Sequence, residues 1–342
     1  MSRKVTIKDV AKKAGVSIST VSNALNDVDV LHPDTKKHIL DVARELHYVP
    51  NVNGRNLKSQ ETRVIGLFLN SIAGPYYGIL ADSIYRTCQQ YGYELNIFIS
   101  EKAKNAMSDL LGHRVDGAII MSGAIRDKEV ELLQEYETPI VFIDREQKGK
   151  RMSSVIFDSY HEGEMAAEYL LGLGHRSFWY INGAENTFDN TKRRQGFVAV
   201  LSKAGILLGE DCILEGRFER VCAYESVKKA IEDGRKPPDA IFAANDLSAI
   251  GAVEALLDQN IAVPGQVSVI GCDDIEMARM VRPSITTLCT SFEKQGSMAV
   301  HALLRLIRGE NEGSIEILYG NVTQRESTSA KPDFSVVLRG EE

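Results

Sequence analysis

From residue 63 onward, nine short apolar runs alternate with segments of helical length, and few architectures accept that rhythm. The runs are VIGLFLN (64–70), YELNIFIS (93–100), GAIIMSG (117–123), PIVFID (139–144), SSVIFD (153–158), SFWYING (177–183), AIFAAND (240–246), VSVIGCDD (267–274) and TTLCTSF (286–292). Strands that are apolar at nearly every position are buried on both faces, the condition of a parallel sheet covered by helices. The expected fold class is therefore α/β, doubly wound. So many strands crowd one small sheet, and two lobes are expected. In open sheets of this kind ligands sit beyond the carboxyl ends of the strands. Those ends carry Asn70, Asp144, Asp158, Asn182, Asn245, Asp246, Asp273 and Asp274.

Residues 1–60 have a different texture. Ile7, Val10, Ala11 and Ala14 follow the spacing of one helix face, with Thr6 and Asp9 as a capping pair. Gly15 breaks that helix, and Ser17 opens a second with Val21, Ala24 and Leu25 on its inner face. Pro33 begins a third, marked by Ile39, Val42, Ala43 and Leu46, and Pro50 closes the unit. This all-α head holds ten Lys/Arg against six acids, a charge of +4, whereas the rest of the chain carries −11. A basic head on an acidic body points to a polyanion at one end. Helix, tight turn and a second helix opening on small polar residues is a helix-turn-helix pattern, whose second helix can lie in the major groove. Ile18, Ser19 and Asn23 are the candidate base readers: Asn pairs with adenine, and an apolar group meets a thymine methyl. Thr6, Ser17, Thr20 and Ser22 are candidates for phosphate contacts. The competing reading is a plain three-helix packing unit in which Ile18 turns inward towards Val21.

Composition excludes other classes. Hydrophobic residues make up 44% and charged residues 25%, an ordinary globular balance. No run approaches the roughly 18 apolar residues of a membrane span, and the basic start of the chain lacks an apolar signal segment. Five scattered cysteines without a CxxC read as reduced thiols in the cytoplasm. The seven histidines show no metal-ligand spacing; His113 and His175, each before an Arg, suit capping or packing. No GxGxxG opens the first helix, and no P-loop, HExxH or GxSxG occurs. No catalytic residue, metal site or cofactor is expected, and no membrane contact.

The wording of the head, VTIKDVAKKAGVSISTVSNALN (5–26) and DVARELHYVPNVNGRNLKS (41–59), resembles the LacI/GalR family of bacterial transcription regulators. The resemblance continues in order through HRVDGAII (113–120), GHRSFWYINGAENT (174–187), RRQGF (193–197), AIFAANDLSAIGA (240–252), VSVIGCDDIEMARMVRPSITTL (267–288) and VTQRES (322–327). It implies a head over 1–48, a hinge helix and linker over 49–62, and an effector-binding, dimerising core over 63–342. The core would be periplasmic-binding-protein-like, with an N-lobe of about 63–158 and 291–320. Its C-lobe would take about 159–290 and 321–342, and crossovers are expected near 158–160, 289–292 and 320–323.

In the hinge, expected to be helical at about 51–58, Leu57 matches the family's minor-groove wedge, a known device for bending a duplex. Arg55 and Lys58 flank it for phosphates. Gly54 stands where alanine is usual, and glycine costs about 1 kcal/mol in a helix. Gly54→Ala is expected to tighten operator binding in a fluorescence titration; unchanged or weaker affinity would count against a DNA-folded hinge. His32 likewise replaces a small polar residue before the third helix.

In the core, Asp273 matches the acid that grips hydroxyls or a ring nitrogen, and Arg193 matches the ligand arginine, whose fork suits ring oxygens or a carboxylate. Tyr76, Tyr77 and Phe218 match aromatic ligand positions, and Asp144, Asp158 and Asp246 are second-rank candidates. A strand-end Asp can equally cap a helix or pair with a base, the tyrosines can pack internally, and Arg194 adjoins Arg193. Trp179, at the start of a strand, suits the core. The stretch ENTFDNTK (185–192) is where specificity would be set. The expected function is a dimeric repressor on a pseudo-palindromic operator, controlled by a small-molecule effector. That effector is a sugar or sugar phosphate, with a nucleobase as the alternative and a protein corepressor left open. A sugar-binding module or an α/β sugar-modifying enzyme without a DNA role are the rival classes. No leucine-rich tetramer tail is seen through DFSVVLRGEE (333–342), so a homodimer is expected.

Overall fold

The computed structural model describes residues 5–331 except 27, 50–60, 101, 102, 113, 122 and 124. The expected hinge, with Gly54, Arg55, Leu57 and Lys58, lies outside the described residues, as does His113. The chain divides into two units, Met1–Thr62 and Arg63–Glu342.

The first unit is three helices: α1 (Ile7–Ala14), α2 (Ile18–Leu25) and α3 (Pro33–Glu45). The Asp9 carboxylate accepts the Thr6 amide at 2.8 Å and its hydroxyl at 2.7 Å, which ties down the start of α1. Gly15 takes φ +69° between α1 and α2, a left-handed turn that side chains resist. Ser17 Oγ then accepts the Thr20 amide at 3.1 Å and caps α2. Val10, Ala11 and Ala14 of α1, Val21 and Ala24 of α2, and Ile39, Val42 and Ala43 of α3 form one small core. At the start of α3, His32 makes no side-chain cap bond, and Pro33 occupies the first turn.

The second unit runs β1 (Val64–Leu69), α4 (Pro75–Gln90), β2 (Glu94–Ile99), α5 (Ala103–Leu111), β3 (Gly117–Met121), α6 (Asp127–Glu135), β4 (Ile140–Ile143) and β5 (Met152–Phe157). It continues with α7 (Ser159–Gly172), β6 (Phe178–Asn182), α8 (Phe188–Lys203), β7 (Ile213–Glu215), α9 (Arg220–Glu232), β8 (Ala240–Ala243), α10 (Asp246–Asp258) and β9 (Ser268–Cys272). It ends with α11 (Glu276–Met280), β10 (Thr286–Cys289), α12 (Phe292–Ile307), β11 (Ile315–Leu318) and β12 (Asn321–Thr323). One sheet has the order β11-β5-β4-β3-β1-β2 and is parallel throughout. The other has the order β12-β10-β9-β8-β6-β7 and is parallel except for β12, which runs against β10.

The nine runs seen in the sequence are nine of these strands. The other three, β7, β11 and β12, are edge strands of three or four residues whose short runs (ILE, IEIL and NVT) are broken by polar or charged side chains. β12 departs from the parallel expectation because only two residues separate it from β11; it enters its sheet straight from the opposite lobe.

The chain passes between the lobes after β5, between β10 and α12, and between β11 and β12. Helix α12 therefore packs on the first sheet although it follows the second: Phe292, Ala299, Val300 and Leu303 share a core with Ile65, Ile119, Val141 and Val155. In the second lobe α7 and α8 touch backbone to backbone. A methyl group on Gly163 would lie 2.0 Å from the Arg193 carbonyl oxygen, and one on Gly196 would lie 1.9 Å from that of Tyr160. The paired glycines set the spacing at which Glu162 and Arg193 meet. Trp179 is buried in the second-lobe core, as its strand position implies.

Candidate functional site

On α2 the buried Val21 and Ala24 leave the opposite face to solvent. Ile18 is 45% exposed, so it does not turn into the head core. Ser19 lies beside it, and Ser22 and Asn23 follow one turn later on the same side, both partly exposed. Ser17 Oγ gathers the hydroxyls of Ser19 at 2.6 Å and Thr20 at 2.7 Å, fixing the polar start of the helix. Ser22 Oγ accepts from the Asn26 amide at 3.3 Å. Thr6 is exposed at the start of α1.

The core presents strand-end and helix-start groups from both lobes. From the first lobe, Tyr76 lies in the first turn of α4 and donates its hydroxyl to Asp144 Oδ2 at 2.8 Å. Gln295 of α12 donates to Asp144 Oδ1 at 3.0 Å, so the carboxylate is held by two elements. The Tyr76 ring rests edge-on against Phe292, with centroids 4.5 Å apart, and Tyr77 packs beside it at 5.4 Å. From the second lobe, Arg193 of α8 is only 4% exposed. Its Nε and Nη2 donate to Glu162 Oε2 at 3.1 and 2.7 Å, and its Nη1 donates to the Ala244 carbonyl at 2.8 Å. Asp189, one turn earlier, stands 3.7 Å from Nη1.

The two walls sense one another, because Asp189 of the second lobe acts electrostatically on Asp144 and Tyr76 of the first. A cavity of about 310 Å³ also spans the lobes, lined by Asp127 and Arg145 on one side and Thr187, Phe188, Thr191 and Lys192 on the other. Arg145 pairs with Asp127 and donates to the Ile125 carbonyl at 2.9 Å.

The remaining candidates occupy varied settings. Asp273 follows β9 with φ +118° and is partly exposed. Phe218 lies with its ring against Gly183, past the end of β6, and packs on the second-lobe core. Asp158 caps α7, accepting the His161 amide at 3.1 Å. Asp246 is fully buried; its oxygens accept from the Thr287 hydroxyl at 2.6 Å and the Ile275 amide at 2.9 Å. Those bonds tie α10 to β10 and to the start of α11.

Three carboxyls are pushed upward. Burial, then the charge of Asp189, raises Asp144 to about 7 against the bonds from Tyr76 and Gln295. Burial raises Asp246 to about 7. Burial and the neighbouring Asp246 hold Asp273 well above the carboxylate range. An acid raised on folding takes up a proton as the chain folds. Its contribution is present at low pH and fades as pH rises through the folded value. His175, lowered by burial, opposes this below its ordinary value. With three carboxyls against one imidazole, the core's melting temperature is expected to fall from about pH 4, the ordinary carboxylate value, to about pH 7, the folded value of Asp144 and Asp246. A flat or rising calorimetric profile over that range would refute the assignment.

Sequence reasoning missed Gln295, Glu162 and Arg145. Gln295 lies on the apolar stripe of α12 and Glu162 on that of α7, both fully buried. A polar residue on an apolar stripe was the available signal. Among the described residues, no group of three or more His, Cys, Asp or Glu side chains is placed to hold a metal, and no helix is long and apolar enough to cross a membrane.

Comparison with known proteins agrees with this architecture. Residues 6–51 match bacterial regulatory proteins of the lacI family, and residues 167–328 match the periplasmic binding protein-like domain. The HTH-type transcriptional repressor PurR of Pasteurella multocida is 32% identical over 312 residues, covering 90% of this chain and 93% of that protein. PurR of Edwardsiella ictaluri is 33% identical over 334 residues, covering 96% and 98%. The lac repressor dimer bound to operator and the anti-inducer ONPF superposes with a TM-score of 0.80 at 25% identity, over 96% of this chain and 100% of that one. A transcriptional regulator CelR–cellobiose complex gives 0.72 at 26% identity, over 95% and 100%. A helix-turn-helix head followed by two α/β lobes that share three crossovers defines a DNA-binding regulator with an effector-type core, not an enzyme. The chain belongs to the LacI family of bacterial regulatory proteins.

Proposed function

We propose that the chain is a cytoplasmic, homodimeric repressor whose two heads hold a pseudo-palindromic operator, and whose grip changes when a sugar binds between the lobes. The exposed stripe of α2 carries this reading: Ile18, Ser19 and Asn23 face solvent on a head of net positive charge. In this role Asn23 pairs with a base edge, Ile18 meets a thymine methyl, and Thr6, Ser17, Thr20 and Ser22 take phosphates. The hinge of 49–62 supplies Arg55, Leu57 and Lys58. Tyr76, Tyr77, Asp144, Arg193, Phe218 and Asp273 surround the effector, while Asp158 and Asp246 support the walls from their capping and bridging positions. The cellobiose in CelR, a relative by structure, favours a sugar. Effector and operator are then coupled by linkage of about 1–3 kcal/mol.

The test is selection of genomic duplex fragments by the full chain, followed by titration at rising salt with and without cell metabolites. A regulator selects a fragment, loses affinity steeply with salt, and shifts its affinity with one metabolite. A chain that retains no duplex at low salt is not this repressor, and operator affinity indifferent to every bound metabolite removes the coupling.

A further inference from the structure

We infer that the cleft holds a sugar of two rings, the second lying in the cavity of about 310 Å³ that Phe188, Thr191 and Lys192 of α8 line together with Arg145 of the first lobe. The inference rests on the sugar reading of the effector and adds a subsite to it. Residues 188, 191 and 192 follow the spacing of one helix face, and Asp189 and Arg193 stand four apart on the face beside it. Helix α8 thus presents two adjoining stripes, one to the cavity and one to the inner site of Tyr76, Asp144 and Arg193. The opposite wall repeats this order in two consecutive residues, Asp144 at the inner site and Arg145 at the cavity. Asp189 acts electrostatically on Asp144, and Arg145 shares the cavity with the outer stripe. The cavity therefore continues the inner site along the cleft.

The lining suits a sugar ring. Phe188 is partly exposed and belongs to none of the apolar cores among the described residues. An aromatic ring held at a cavity and outside the core is free to meet the C–H face of a pyranose or furanose. The Lys192 ammonium, 5.7 Å from the centre of that ring, brings donors for hydroxyl oxygens. The Thr191 hydroxyl donates to the Thr187 carbonyl at 2.8 Å, and the Thr187 hydroxyl to the Ala184 carbonyl at 3.0 Å. Each threonine oxygen therefore keeps lone pairs for an incoming hydroxyl. Arg145 pairs with Oδ1 of Asp127, and the second oxygen of this exposed carboxylate remains an acceptor. Hydroxyls both donate and accept, so a sugar ring can use every group on these walls. Pockets for organic ligands run from about 300 to 1,000 Å³. The cavity lies at the small end of that range, with space for one ring beyond the inner site.

The experiment is isothermal titration of the full chain with disaccharides and the single rings they contain: cellobiose and maltose against glucose, lactose against galactose and glucose, with ribose as a further single ring. One disaccharide is expected to bind about tenfold or more tightly than either of its rings, the scale of one packed aromatic contact with its hydrogen bonds. A single ring that binds as tightly as the disaccharides, or that alone binds, overturns the inference and leaves the sugar reading standing. Heat from no sugar overturns both. Phe188→Ala and Lys192→Ala, each checked by its melting curve, are expected to weaken the disaccharide, Phe188→Ala by about tenfold, and to leave the affinity of the single ring unchanged. A loss that falls equally on disaccharide and single ring, or no loss in either folded variant, overturns the assignment of the cavity to the second ring.

Discussion

Gly196→Val is expected to cost the core about 3 kcal/mol or more and to shift its urea midpoint far below that of the parent chain. The reason is the direct backbone contact of α7 with α8. The smallest side chain at 196 meets the Tyr160 carbonyl at 1.9 Å, and the partner glycine at 163 meets the Arg193 carbonyl at 2.0 Å. Backbone cannot rotate aside as a flexible side chain can, so the two helices must separate. Separation also draws Arg193 away from Glu162 and loosens one wall of the cleft. A midpoint equal to the parent's would show that the helices slide freely, and the packing argument would fail.

The second large effect is asymmetric. Glu162→Ala is expected to destabilise by about 3 kcal/mol, because it leaves a guanidinium that is 4% exposed and cannot shed its charge with only the Ala244 carbonyl and Asp189 at 3.7 Å. Arg193→Met is expected to cost less. A carboxyl left without its cation can discharge itself by binding a proton, and methionine refills the volume. Chemical denaturation of both variants checks the order. Equal losses, or a greater loss for Arg193→Met, would contradict it.

The alternation of apolar runs made the two parallel sheets legible, since strands buried on both faces need no pairing information to be seen. Three of the four edge strands were not legible: β7, β11 and β12 carry three or four residues each, whereas β2, also at an edge, was read from its apolar run although most of it is exposed. In the head, helical spacing read out the inner faces, including Val21 and Ala24, but could not decide Ile18. Spacing gives a side chain's direction, and only the packed neighbours decide whether anything covers it. In the core, single residues announced themselves through strand ends, but their uses did not. Asp158 and Asp246 stand at strand ends like Asp144 and Asp273, yet one caps a helix and the other is sealed by Thr287 and Ile275. Arg193 looked like an open fork because its partner, Glu162, is distant in sequence and hidden on an apolar stripe.

The three passages between the lobes also govern how the molecule must be made. The first sheet needs β11, at residues 315–318, and its covering helix α12, at 292–307, so its N-terminal strands emerge from the ribosome long before their packing partners. Neither lobe can finish while the other is being translated, and the usual order of domain-by-domain completion does not apply. A message cut short before residue 292 therefore leaves the first sheet without β11 and its covering helix α12, whereas the second sheet keeps its helices and lacks only the edge strand β12.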